Sequence, residues 1–244
     1  MRIEIIALSN LPEVRRDDDL AALIRNAATN DQQPIDSSVV VAVAQKIVSK
    51  SEGAVVDLRT IQPSALATSW AKKCERDPRL IELVLSQSTR IVKMDKGVLV
   101  TETHLGHICA NAGVDQSNVE GDHFATILPV DPDLSAKQLR AKLGCGAVII
   151  TDTFGRPWRE GLVDVAIGVS GLDSIEDYRG STDRLGRKLS GTIIAVADQL
   201  AAAAGILMRK SAGCPVVLLH GFDWKPADGS ARALIRTPEH NLFR

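Results

Sequence analysis

With 244 residues, 45% of them apolar and 24% charged, the chain has the composition of a globular protein able to bury a sizeable core. Aromatic residues make up only 3%, so that core rests on Val, Ile, Leu and Ala. A formal charge of −1 argues against a nucleic-acid binder, which carries a basic excess, and no apolar run approaches the ~20 residues needed to cross a bilayer.

In chain order, residues 1–6 read as a first strand, too short and too acidic for a signal peptide. A turn over Ser9, Asn10, Leu11 and Pro12 follows. Asp17, Asp18 and Asp19 then precede the apolar run 20–24, where negative charge suits a helix N-terminus better than it suits a metal. The Val-rich stretch 38–44 reads as a buried strand, and 45–53 as a strand-to-loop transition carrying Lys46 and Lys50. Helices are expected from Pro63-Ser64, with Leu66 and Trp70 on the apolar side, and from Pro78 through Leu85. Two alternating segments about Asp95-Lys96-Gly97 predict a hairpin over 91–100. After a segment rich in small residues, 106–118, a short helix runs from Asp131-Pro132 to Leu143 and stops at Gly144 and Gly146. Strands are expected from 147 to the Gly155–Pro157 turn, at 163–170 and at 215–219. A long helix spans 192–208, with Ile193, Val196, Ala197, Leu200, Ala201 and Ala204 on one face. The tail after Gly221 is polar and reads as loop. Strands and helices mix without strict alternation, which predicts a mixed α/β (α+β) fold over a doubly wound sheet. Neither G-x-G-x-x-G after a strand nor G-x-x-x-x-G-K-[ST] occurs, so the Rossmann and P-loop folds are unsupported. One domain over 1–244, or two interlocked subdomains, would account for the length.

Cys74, Cys109, Cys145 and Cys214 are scattered, with no C-x-x-C pair, the pattern of neither a disulfide framework nor a zinc site. Free thiols in a reducing cytoplasm are the simplest expectation.

Three segments carry chemistry. In Thr151-Asp152-Thr153-Phe154-Gly155-Arg156-Pro157-Trp158-Arg159, an apolar run is expected to end at Gly155 and Pro157, which places Asp152 and Thr153 at the strand's mouth. There Asp152 either caps a turn or meets a divalent cation. The second segment, Cys109-Ala110-Asn111-Ala112-Gly113-Val114-Asp115-Gln116-Ser117-Asn118, is either a tight Asx turn or a close backbone approach to something bulky. Paired with Asp152-Thr153, it brings a second carboxylate suited to magnesium or manganese beside substrate phosphates. In the third segment, Lys50 either snorkels along a core edge or neutralises a phosphate.

The ordered motifs Asn10-Leu11-Pro12, Ser49-Lys50-Ser51-Glu52-Gly53, 109–118 and 151–159, with the helix 195–204, resemble the coenzyme F-420-0:gamma-L-glutamyl ligase family from residue 1 to Gly221. The resemblance implies a GTP-dependent ligase that adds L-glutamate to the lactyl carboxylate of the deazaflavin precursor F-420-0, with further gamma-linked glutamates. The route runs through an acyl phosphate and releases GDP and phosphate. It implies that Asp115 and Asp152 hold one divalent ion (Mg2+ or Mn2+) and Thr153 a second, with K+ as a further candidate. Ser9, Asn10, Leu11, Pro12, Gln45, Lys50 and Asn118 would contact GTP. It also implies an unusual α/β fold and an intertwined cytoplasmic homodimer, with neither nucleic acid nor membrane as partner. Arg156 and Arg159 are left between tail binding and structural ion pairs, and His104 and His107 are expected to be packed or solvent-facing. One departure stands out. Many archaeal members carry an acidic or amide residue in the loop after the long helix that helps bind the second metal, whereas Met208-Arg209-Lys210-Ser211-Ala212-Gly213 has no acid. In this the chain is closer to the bacterial branch, whose members are often fused to a flavin-binding reductase-like domain; here only the ligase part is expected. The competing readings are a metal-dependent phosphohydrolase and a non-catalytic nucleotide- or deazaflavin-binding protein.

Overall fold

The structure is a computed structural model that describes residues 2–210 and 212–241. Its elements in chain order are β1 (Glu4–Ala7), α1 (Leu20–Asn30), β2 (Val40–Ala44), α2 (Gln45–Ser51), β3 (Val55–Asp57), α3 (Ala65–Cys74), α4 (Pro78–Ser86), β4 (Ser88–Asp95), β5 (Val98–Thr103), β6 (Ile108–Ala110), β7 (Phe124–Thr126), α5 (Pro132–Leu143), β8 (Ala147–Arg156), β9 (Arg159–Leu172), β10 (Glu176–Asp177), β11 (Ile193–Ile194), α6 (Val196–Met208), β12 (Val216–His220) and β13 (Pro226–Ala227). The main sheet has the order β1-β12-β2-β8-β9-β13. Its single parallel pair is β2 with β8 and every other pairing is antiparallel, so the fold is mixed α/β and not a doubly wound sheet.

Period-two alternation explains why both faces of that sheet are covered. Val41, Val43, Val148, Ile150 and Leu218 point to one face and pack with Leu20 and Ile24 of α1 and Leu139 of α5. Val40, Ala42, Ala147, Ile149, Val217 and Leu219 point to the other, against Ala197, Leu200, Ala201 and Ala204 of α6. A third core gathers Leu58, Leu80, Leu83, Val84, Leu99, Ala112, Val114 and Ala125 between α4 and the smaller sheets β4-β5-β6 and β3-β7.

Local signals fix most boundaries. Asp19 caps α1 by accepting from the Ala22 N–H, so one of the acidic trio serves the helix start, while Asp18 accepts from the Arg15 N–H in the preceding turn. Asp131 caps α5, Pro132 fills its first position, and Gly144 ends it at φ 69°.

Three expectations are corrected. Residues 45–51 form the two-turn helix α2, not a loop. Strand β8, by contrast, runs to Arg156 and ends at the Gly155–Pro157 turn as expected, with β9 folding back as its hairpin partner and supplying the hydrogen bonds of 151–156. The long helix starts at Val196, because Ile193 pairs with Asp177 as part of β11. The tail after Gly221 is not all loop, for β13 pairs with Gly171 and Leu172 of β9. Met1 and Ser211 lie outside the described residues.

Candidate active site

A notch in the main sheet positions the site. Strand β2 pairs with β8 only as far as Ala44 opposite Thr151, after which the chain turns into α2. Past Thr151 the β2-facing edge of β8 is therefore open, and a cleft of about 820 Å3 occupies the gap. Leu11, Gln45, Lys50, Asp115, Asp152 and Lys210 are among its lining residues. The cleft thus lies at the carboxyl ends of the one parallel strand pair, where open α/β sheets commonly bind ligands.

On one side stand Asp115 and Asp152. Asp115 is anchored through its backbone, which exchanges hydrogen bonds of 3.1 and 2.8 Å with Thr126. Its carboxylate accepts from the Ser117 N–H at 2.8 Å, from the Ser117 hydroxyl at 2.7 Å and from Lys46 Nζ at 2.7 Å. Burial pushes the Asp115 carboxyl up, but the Lys46 ammonium and the Ser117 donors outweigh it and hold it below the usual carboxylate range. Asp152 has fewer donors, chiefly the Thr153 N–H at 2.8 Å. Burial therefore dominates and pushes its carboxyl up to about 7, with a smaller upward contribution from the Asp115 charge. The two carboxylates share a cleft with Lys46, Lys50, Arg209 and Lys210, so acidic and basic side chains line it together. Among the described residues, no three His, Cys, Asp or Glu side chains gather as a metal cage. A pair of carboxylates with open positions fits Mg2+ or Mn2+ whose remaining ligands are phosphate and water, and does not fit a closed structural site.

On the other face of β8, the Thr153 hydroxyl donates to Asp164 Oδ1 at 2.6 Å and accepts from Lys210 Nζ at 3.3 Å. Asp164 belongs to β9 directly opposite Thr153, and its second oxygen lies against Gly205 of α6. A Cβ at Gly205 would fall 2.0 Å from that oxygen. Glycine in a helix interior costs about 1 kcal/mol relative to alanine, and here it leaves room for a carboxylate. Gly205→Ala is accordingly expected to destabilise the protein by about 1–3 kcal/mol despite its better helix propensity, read as a lowered denaturation midpoint. An unchanged or raised midpoint would mean that Asp164 does not occupy this space.

The remaining predicted site residues are distributed as follows. Leu11, Pro12, Gln45, Lys50 and Asn118 line the cleft. Lys50 is buried and pairs with Glu13, while Gln45 accepts from the Ser49 hydroxyl at 2.8 Å. Ser9 and Asn10 are not among the lining residues, and Ser9 is bound through its N–H and hydroxyl to Asp31, each at 2.6 Å. The small-residue segment is explained by packing: Ala112 lies in the third core at φ 52°, and a Cβ on Gly113 would meet Leu128 at 2.7 Å. His107 is buried edge-on to Phe154, and burial lowers its pKa; His104 contacts the Ser86 carbonyl. Arg156 donates to the carbonyls of Glu160 and Gly161 at its own hairpin. Cys109 is buried and its thiol is pushed up to about 12, so it is no nucleophile.

Lys46, Glu13 and Asp164 were not singled out by the motifs. Lys46 became legible only once 45–51 was helical, which turns it toward Asp115. Asp164 depends on the hairpin register.

A family profile described as F420-0:Gamma-glutamyl ligase matches residues 9–221. The chain belongs to this family. It is 42% identical to the coenzyme F420:L-glutamate ligase of Methanothermobacter thermautotrophicus, with all of both chains covered. Identity is also 42% to the protein of the same name from Methanopyrus kandleri, over 100% of this chain and 98% of the relative. The Halorubrum lacusprofundi protein of that name is 39% identical over 93% of this chain and 91% of its own. The protein is thus a ligase of the F420-0:gamma-glutamyl family. The matched span of the ligase includes every cleft-lining residue from Leu11 to Pro215. Among the described residues, no helix of the ligase is long and apolar enough to cross a membrane.

Proposed function

We propose that this ligase joins L-glutamate to coenzyme F420-0 at the expense of GTP, through an acyl phosphate, and extends the product by gamma linkages. The single observation that carries this reading is the cleft in the sheet notch, which pairs two carboxylates with the buried, cationic Lys50 across the same opening. Such a cleft suits a polyphosphate, because fixed ammonium groups and carboxylate-held cations are what phosphoryl transfer requires.

The reaction balances in two steps. A carboxylate oxygen of the acceptor attacks the gamma-phosphorus, the bond to the bridging oxygen breaks, and GDP leaves. The glutamate amine then attacks the activated carbonyl, phosphate departs with that oxygen, and the nitrogen loses a proton. Asp115 and Asp152 are the residues that would hold a divalent cation, which would supply positive charge against the repulsion between a carboxylate and a polyphosphate. Lys50 holds a phosphate oxygen and hands Glu13 back to solvent when it does so. Lys46, which lines the same cleft, would donate to a phosphate oxygen of the nucleotide. Leu11, Pro12, Gln45 and Asn118 frame the nucleotide. Ser9 acts one layer out by fixing that turn to Asp31, and Asn10 supports it by donating to the Ser9 hydroxyl. A homodimeric, cytoplasmic enzyme completes the proposal.

Incubation with GTP, Mg2+ or Mn2+, L-glutamate and F420-0 is expected to give glutamylated products, separated by mass, and one GDP per bond formed. GTP turnover that ignores glutamate would favour a phosphohydrolase instead. For Lys50→Ala the expected effect is a GTP dissociation constant raised about 30-fold or more, with little change in stability because Glu13 is exposed. An unchanged GTP affinity would remove Lys50 from the nucleotide site.

A further inference from the structure

The residues around Thr153 fit a second divalent ion poorly. The Thr153 hydroxyl is oriented by its hydrogen bond to Asp164, and its oxygen, the atom that would ligate a cation, accepts from the Lys210 ammonium at 3.3 Å. Asp164 is the one carboxylate in direct contact, and its second oxygen is closed off by Gly205. The segment leaving α6 contributes Arg209 and Lys210 to the cleft and no acid. Any dication brought to Thr153 would face an ammonium in the same place. A protonated lysine has donors only and cannot serve as a ligand, so the two cations exclude each other.

The same ammonium also lies close enough to Asp152 for its charge to favour that carboxylate. Lys46 and Lys210 both line the cleft that holds Asp115 and Asp152, so the Lys210 ammonium is open to an anion bound there. Lysine is well suited to this use, as a compact charge on a flexible stem with three donors that phosphate oxygens can take.

We propose that Lys210, seated on Thr153 beside Asp164, takes the place of a second divalent cation, so that the site works with one divalent ion and one tethered ammonium. Asp164 and Thr153 are then positioning residues: the carboxylate orients the hydroxyl, and the hydroxyl holds the ammonium. This rests on the nucleotide-dependent ligation proposed above.

The test is a titration of the full chain with Mn2+ in the presence of guanosine 5′-(β,γ-imido)triphosphate, read by electron paramagnetic resonance. The wild-type protein is expected to take one nucleotide-dependent Mn2+ per protomer, without Mn–Mn coupling. Lys210→Glu exchanges the ammonium for an oxygen ligand and is expected to take two, with the broadening that two neighbouring ions produce. Lys210→Gln is expected to admit the second ion more weakly than Lys210→Glu. Two coupled ions in the wild-type protein would overturn the proposal and leave the ligation reading intact. A Lys210→Glu protein that still takes one would overturn it too, by removing the cation position from beside Thr153. Absence of any nucleotide-dependent Mn2+ binding would overturn both.

Discussion

Asp152→Asn is expected to cut ligation by roughly a thousandfold or more while making the metal-free protein more stable above neutral pH. The two effects have one cause. Burial holds the Asp152 carboxyl at about 7 against an ordinary 3.8, so between those values the folded protein keeps a proton that the unfolded chain releases. Stability contributed by this group is complete below pH ~4 and is lost as pH rises through 7. At ~1.4 kcal/mol per pKa unit the limit is about 4 kcal/mol, and the partial opening to the cleft reduces it to about 2 kcal/mol. Asparagine mimics the protonated form and avoids that loss. Metal binding should reverse the penalty in the wild-type protein only, since a cation favours the ionised carboxylate. Denaturation of both proteins at pH 5 and pH 8, with and without Mn2+, reads this directly. Equal stability of the two at pH 8 without metal would contradict the account of Asp152.

Asp115→Ala should be the second large effect, a loss of turnover of similar order, without unfolding. The segment around residue 115 is held by backbone hydrogen bonds to Thr126, which no side-chain truncation removes. What is lost is the acceptor shared by Ser117 and Lys46. Lys46 keeps the Ser117 carbonyl at 2.7 Å, so its charge is not stranded. The variant should therefore melt within about 1–2 kcal/mol of the parent and still fail to ligate at saturating metal. Near-normal ligation under those conditions would take Asp115 out of the cation site.

The sequence and the structure agree where a local rule decides the outcome. Asp19, Asp131, Pro132 and Gly144 mark helix ends by capping chemistry alone, and the alternation in 40–44 and 147–151 places one buried strand against another. The disagreements fall where a partner strand decides. The hydrogen bonds of 151–156 come from β9, and neither strand's own residues state the register of that pairing. The hairpin makes the point sharply. Counting back from Arg156 opposite Arg159 puts Leu162 opposite Thr153, but an irregularity next to Arg156 shifts the register by two and brings Asp164 there instead. A carboxylate that braces the site was thus out of reach of any residue count. Lys46 was hidden differently: lysines on a strand-to-loop transition read as snorkelling along a core edge or as phosphate ligands, and only the turn into α2 at Ala44 directs the first of them to Asp115. The ordered motifs 109–118 and 151–159 do identify the family, even though the small residues of 109–114 serve packing against Leu128 and the third core.

The central claim is that the acceptor carboxylate is activated by phosphoryl transfer inside the sheet-notch cleft. The most direct measurement uses F420-0 carrying 18O in the carboxylate that receives glutamate, with unlabelled GTP and water. One 18O is expected in the phosphate released per bond formed, because the attacking oxygen leaves with the phosphorus. Phosphate free of label, alongside normal product, would contradict the acyl phosphate route.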